Sequence, residues 1–318
     1  MNLKGDKQEI VDKRNNILFS ISHQMAGTLA KIPVRGSLLL GQMMSHLLLG
    51  KAKSPTLIKT RYDFDMLISP HLDNGVDRTL FLTGTTERGA LHVMKQYLSL
   101  YPRANVFDVG ANIGLMSLFA SRLLPLGTVF AFEPVYETFQ RLVFNIDLNA
   151  AKNVKVFNFA LGSEAAYRAI YVNSSHLGMS SFLQCENPAE SSQNVKIMTI
   201  DSIIEDKLSK VDFIKIDVEG WELEVLKGAS QLLGKEDAPA LMFEYCQGRS
   251  MPHGNEHDLW NFIRKINDYK IFILKDGEYR IGRLSEINHY ESLPAFANLF
   301  CFLPRHLRTM PQDLFSKV

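Results

Sequence analysis

Cysteine is scarce: the 318-residue chain holds 3, Cys185, Cys246 and Cys301. They stand far apart and match no zinc spacing, which argues against a disulfide-stapled domain and a cysteine metal centre. Reduced, mostly buried thiols are expected. An excess of one charge is also missing, because 35 Lys plus Arg face 34 Asp plus Glu. A chain so nearly neutral lacks the basic surplus of a general nucleic-acid binder, and no nucleic-acid partner is expected. No uninterrupted apolar run reaches the roughly 18 residues of a membrane span. The opening MNLKGDKQEIVDKRNN has no apolar core of the signal-peptide kind. A cytoplasmic location is expected. Internal repeats and low-complexity tracts are absent. What remains is ordinary globular composition, 46% hydrophobic and 22% charged, in a chain long enough for one large domain with an appendage.

Four segments are expected. Residues 1–55 read as a helical N-terminal extension, with Ile17, Leu18, Ile21, Met25 and Leu29 at helical spacing and breaks at Pro33 and Gly36. Within it, residues 37–50 (SLLLGQMMSHLLLG) are too short to span a bilayer. They fit a helix packed on the main domain or in a homodimer, or an interfacial helix touching membrane or a lipid-linked substrate. Residues 56–104 read as a lead-in hairpin and helix. Residues 105–305 alternate short apolar strands with amphipathic helices, and 306–318 form a C-terminal tail. The alternation predicts strands at 105–109, 128–133, 154–160, 213–217 and 240–244, and helices near 115–124, 137–149, 222–233 and 257–266. Such a pattern builds a mostly parallel sheet with helices on both faces.

Open parallel sheets bind ligands beyond the carboxyl ends of their strands, near the switch in strand order. The residues to weigh there are Asp108, Glu133, Asp217, Glu219 and Glu244. Acidic strand ends suit a cationic, hydroxyl-rich ligand and repel a phosphate chain. Three motifs sharpen this. VFDVGANIG at 106–114 is a strand, a glycine turn and a helix start, with Gly110 and Gly114 four apart. It lacks the middle glycine of the dinucleotide fingerprint, which counts against NAD. AFEP ends the next strand with Glu133, about twenty residues on, where an acid can accept hydrogen bonds from both ribose hydroxyls. FIKIDVEGWE at 213–222 carries Asp217 and Glu219 to the same rim. Acids there also fit a plain helix start.

Taken with NFALG at 158–162, GMSSF at 178–182, TIDSII at 199–204, IKIDVEGWELEVLKGA at 214–229 and SPHLDNGVDRTLFLTG at 69–84, these motifs resemble the FkbM-type family of S-adenosylmethionine-dependent methyltransferases. The resemblance covers roughly residues 60 to 250. It implies a class I methyltransferase fold: a Rossmann-like, seven-stranded, mostly parallel sheet with the last strand antiparallel. It implies that Asp108, Gly110, Ala111, Asn112 and Gly114 surround the methionine end of S-adenosyl-L-methionine. Glu133 and Pro134 would then hold the ribose, Ala160 and Leu161 flank the adenine, and Asp217 face the sulfonium. The implied acceptor is a hydroxyl of a sugar, glycan or other natural product.

Methyl transfer to an alcohol needs alignment and removal of the hydroxyl proton. Asp217 is the first candidate for the base, Glu219 the second and His176, before the GMSSF loop, the third. The two carboxylates could instead hold a divalent ion, but no compact ligand cluster is visible in sequence and no metal is expected. A non-catalytic cofactor-binding or scaffold protein of the same fold, or an NAD-linked oxidoreductase, are the competing readings.

Overall fold

A computed structural model describes residues 55–72, 75–173, 180–183, 191–207, 210–247, 257–274 and 281–316, together with Ile21, Met25, Thr28, Leu40, Met43, Met44 and Leu47. The expectations for residues 37–50 and His176 therefore fall almost wholly or wholly outside the described residues, as does Cys185. Among the described residues no helix is long and apolar enough to cross a membrane.

From Thr56 the chain forms an antiparallel hairpin, β1 (Thr56–Lys59) and β2 (Asp65–Ile68), then α1 (Val76–Thr83) and α2 (Arg88–Leu98). Alternation follows: β3 (Asn105–Val109), α3 (Leu115–Leu123), β4 (Thr128–Phe132), α4 (Tyr136–Leu148) and β5 (Val154–Phe157). A small insertion holds β6 (Ala160–Leu161), β7 (Ala166–Val172) and β8 (Ser191–Met198). Then come α5 (Ile200–Lys207), β9 (Phe213–Ile216), α6 (Glu222–Lys227), α7 (Ser230–Leu233), β10 (Ala240–Cys246), α8 (His257–Ile266), β11 (Lys270–Leu274), β12 (Leu284–Ile287), β13 (Phe296–Phe302) and α9 (Pro304–Leu307).

The main sheet has the order β12-β11-β13-β10-β9-β3-β4-β5. β3, β4, β5, β9 and β10 run parallel, and β13 is antiparallel to both β10 and β11. This is the expected seven-stranded class I methyltransferase arrangement with the last strand antiparallel, extended at one edge by β12. The central strands are buried on both faces, and so their sequences (NVFDV, TVFAF, FIKI) are almost continuously apolar. One face carries Val106, Val129, Phe213, Met242 and Phe300 against the hairpin and the helices α2, α3 and α4. The other carries Phe107, Phe132, Ile214, Ile216 and Phe243 against Ile203, Leu223, Leu226, Leu259 and Ile263 of the later helices. Each fully buried side chain of this size contributes roughly 1.5–3 kcal/mol from removal of apolar surface from water.

Two predicted elements are divided. The strand expected at 154–160 ends at Phe157, where Asn158 turns and donates through Nδ2 to the carbonyls of Glu133 and Pro134, at 2.9 and 3.0 Å. Ala160 and Leu161 then join a separate sheet of order β6-β8-β7. The helix expected at 222–233 breaks at Gly228, where a Cβ would lie 1.9 Å from the Gly162 carbonyl oxygen. The hairpin docks through Asn145 of the fourth helix and Asn149, the residue that caps its end. Asn145 accepts from the Leu67 amide at 2.7 Å and donates to the Ile113 carbonyl at 2.9 Å. Asn149 accepts from the Asp65 amide at 2.9 Å.

Candidate active site

The order of the strands reverses between β3 and β9, and their carboxyl ends open a cleft. Gly110, at the tip of β3, has φ +77, a conformation that L side chains rarely adopt. A Cβ there would sit 1.8 Å from the Asp217 carbonyl oxygen, so only glycine lets the two strand ends lie this close. The amides of Gly110 and Ala111 both donate to the Phe132 carbonyl, at 3.0 and 2.9 Å. Gly114 (φ +94) closes the turn, and a Cβ there would meet Leu142 at 2.7 Å.

Glu133 sits just beyond β4. Its Oε2 accepts from the Asn112 amide at 3.0 Å and its Oε1 from the Val135 amide at 2.9 Å. Both oxygens are thus aimed by backbone, leaving further lone pairs for a ligand. Burial pushes the carboxyl up to about 7, against the pull of these two amides toward the ionised form. Around Glu133 the wall is apolar, with Phe132, Val135, Phe159, Ala160, Leu161, Ile170, Phe182 and Trp221. The insertion sheet supplies the roof. Tyr171 and Ser181 exchange backbone hydrogen bonds at 2.8 and 3.1 Å, and Ser181 Oγ donates to the Glu219 carbonyl at 2.7 Å.

The opposite wall is the Asp217–Trp221 turn. Asp217 and Glu219 both line the cleft, and Glu219 holds φ +54, a strained value of the kind that clusters at functional sites. Beneath them the buried Glu222 accepts from the amides of Val218 and Gly220, at 3.3 and 3.1 Å. Burial pushes that carboxyl up to about 7 as well. Glu244, near the end of β10, comes close to Asp217 and Glu219, with one oxygen from each lying within 4.8 Å of the others. Burial first, then the charges of Asp217 and Glu219, push the Glu244 carboxyl up to about 10.

Of the residues singled out in sequence, Gly110, Asn112, Glu133, Pro134, Ala160, Leu161, Asp217 and Glu219 line this one cleft. Ala111 and Gly114 shape the turn without lining it. Asp108 differs from the expectation of a strand-tip acid. Its side chain turns into the sheet and is fully buried, accepting from Ser117 Oγ at 2.5 Å with Lys215 Nζ at 3.5 Å. Lys215 was not foreseen. Burial alone would lower its ammonium, but Asp217 and Asp108 hold it above the ordinary lysine range. A lysine inside the otherwise apolar strand FIKI was the available signal, because lysine is almost never buried unless paired. Glu222 and the aromatic wall were missed for a different reason, since nothing local distinguishes them from helix starts and core.

The donor set can be tested against a ligand. Carboxylates at one end, an aimed acid in the middle and an apolar aromatic slot at the other suit a sulfonium, a ribose and an adenine. They do not suit a polyphosphate, which the carboxylates would repel.

Residues 108–271 match the family model described as the methyltransferase FkbM domain. Over 134 residues the chain is 34% identical to the hexuronic acid methyltransferase AglP of Haloferax volcanii, covering 40% of this chain and 51% of that protein. Over 142 residues it is 30% identical to Methyltransferase 1 of Beauveria bassiana, covering 39% of this chain and 57% of that one. A S-adenosylmethionine-dependent methyltransferase from Agrobacterium tumefaciens superposes with a TM-score of 0.43 at 11% identity, covering 79% of this chain and 70% of its own. The chain thus spans about half the length of the curated relatives it matches. The family model takes in more than half of the chain, and the chain belongs to the methyltransferase FkbM family. It carries a methyltransferase domain of that family.

Proposed function

We propose that the protein is an S-adenosylmethionine-dependent O-methyltransferase acting on a hydroxyl of a sugar, glycan or related small natural product. One observation carries this reading: Asp217 and Glu219 share a cleft with the backbone-aimed Glu133 and an apolar aromatic slot. The cofactor supplies an activated methyl group on a cationic sulfur. In this reading Glu133 accepts from the ribose hydroxyls, and Phe159, Ala160, Leu161 and Phe182 enclose the adenine. Gly110 and Asn112 flank the methionine portion through the glycine turn. Asp217 takes the acceptor's proton at a carboxylate oxygen, and Glu219 is the alternative base.

Removal of that proton by a positioned carboxylate is worth about 10²–10⁴-fold in rate. Alignment of the acceptor supplies up to roughly 7–11 kcal/mol more. The roof of the cleft keeps water from competing with the acceptor. The glycan branch of this proposal draws support from the hexuronic acid methyltransferase relative. The segments 1–55, 56–104, 105–305 and 306–318 remain our proposed divisions, with the second packing the hairpin and α2 against the catalytic sheet.

The test is labelled-methyl transfer over a panel of sugars, glycans and alcohols, with Asp217→Asn alongside. The variant should bind S-adenosylhomocysteine within a few-fold of the parent and turn over at least about a hundredfold more slowly. Unchanged turnover would remove Asp217 as the base. Binding of S-adenosylhomocysteine with no transfer to any acceptor would favour a non-catalytic role.

A further inference from the structure

We propose that Lys215 is a positioning residue for the transfer reaction: its buried ammonium clamps the Asp217 carboxylate to the glycine turn, so the base and the cofactor's methionine end are held by one charge. The proposal rests on the reading of Asp217 as the base. Lys215 Nζ lies 3.3 Å from Asp217 Oδ2, 3.0 Å from the Gly110 carbonyl and 3.5 Å from Asp108 Oδ1. The side chain of Lys215 is 5% exposed, and that of Asp108 1%. Asp217 is 31% exposed at the cleft wall, so of the two carboxylates on Lys215 it alone also faces the open space.

The lysine also answers a problem the acids create. Asp217, Glu219 and Glu244 crowd together, and Glu87 adds a further negative charge from the start of the second helix. Like charges so placed cannot all ionise, and one of the acids keeps a proton. Within the cluster, Asp217 is paired with the Lys215 ammonium. That ammonium offsets the charge of Asp217, while burial and the neighbouring carboxylates push the Glu244 carboxyl up, and the retained proton sits there. The same ammonium fixes the Gly110 carbonyl, and with it the turn whose tip approaches Asp217 too closely for a Cβ. A shift of an ångström between a base and its reaction partner can cost about a hundredfold in rate.

Loss of Lys215 alone would leave Asp108 buried without its cation, and that variant is expected to fold poorly. Two paired variants avoid this. Lys215→Met/Asp108→Asn removes both buried charges, and Lys215→Gln/Asp108→Asn does so while keeping a donor for the Gly110 carbonyl. Each is combined with Asp217→Asn, and kcat, KM for the acceptor and the Kd for S-adenosylhomocysteine are measured on folded protein. In both pairs kcat should fall by the same factor as in Asp217→Asn, at least about a hundredfold, with the acceptor KM changed less than about threefold. The triple variants should be no slower than Asp217→Asn alone, because residues acting as a unit are not additive. A merely structural lysine would give losses that multiply, and that result overturns the proposal. So does a paired variant that keeps the parent's kcat while Asp217→Asn loses it. If Asp217→Asn itself keeps full turnover, the base assignment has failed, and the lysine's role with it.

Discussion

Replacing Glu244 by glutamine should stabilise the protein, and by more at high pH than at low. Burial and the neighbouring carboxylates raise the Glu244 carboxyl from 4.5 to about 10, so folding takes up a proton anywhere between those values. A group raised in the folded state contributes stability that is fully present below its unfolded value and is lost as pH climbs toward its folded value. Glutamine has nearly the same shape as the protonated acid and needs no proton. The gap between variant and parent should therefore open above about pH 4.5 and widen by ~1.4 kcal/mol per pH unit. At pH 7 that gives an upper bound of ~3.4 kcal/mol, being ~2.5 units at this slope. Because Asp217 and Glu219 share the strain and can relax when one acid is neutralised, about 2 kcal/mol is the working expectation. Urea unfolding of both proteins at pH 5, 6, 7 and 8 measures it directly. A gap that stays flat across this range, or a variant less stable than the parent at pH 8, would refute the account of the carboxylate cluster.

Three further outcomes follow from the same geometry. Glu133→Gln should weaken S-adenosylhomocysteine binding at least about tenfold, since removing the charge weakens the hydrogen bonds a ribose hydroxyl can donate to it. In the parent, binding should tighten as pH rises through about 7, the value to which burial pushes Glu133, and level off above it; calorimetry showing pH-independent affinity from 6 to 8 would count against its contact with the ligand. Asp108→Ala should lower stability by about 3–5 kcal/mol, because it leaves the Lys215 charge buried with one partner fewer. The fraction still folded should bind S-adenosylhomocysteine within a few-fold of the parent, whereas a large loss of affinity at unchanged stability would place Asp108 in the pocket after all. Gly110→Ala should abolish binding and cost at least a few kcal/mol of stability, because a Cβ at that φ meets a backbone oxygen at 1.8 Å; thermal melts and titration of one sample check both.

Much of this architecture was legible in the chain itself. The strands 105–109 and 213–216 matched their predicted cores because a central parallel strand is apolar throughout and short. The motif FDVGANIG placed Gly110 and Gly114 correctly, since a left-handed turn between strand and helix requires glycine there. Glu133 was placed at the cleft by its position at the end of a strand about twenty residues after the glycine turn. The small sheet of β6, β7 and β8 was not foreseen, because its strands pair across sequence separations that local alternation does not record and its residues are half exposed. The first helix at 76–83 was missed for a related reason. It begins without a side-chain cap, and its Asp77 points inward to the Ser69 amide and Arg141.

Identity and spacing along the chain determined the fold class, the family and most of the cleft's lining, because strand hydrophobicity and turn glycines are local requirements. Which way each acid points was decided only in three dimensions. Asp108 and Asp217 are both acids at the ends of adjacent parallel strands. Register sets Asp108 beside Lys215, where it closes a buried ion pair, while Asp217, on the same face two residues past that lysine and just beyond the end of its strand, reaches open space. That difference of one pleat separates a residue that holds the sheet together from one that can meet a substrate.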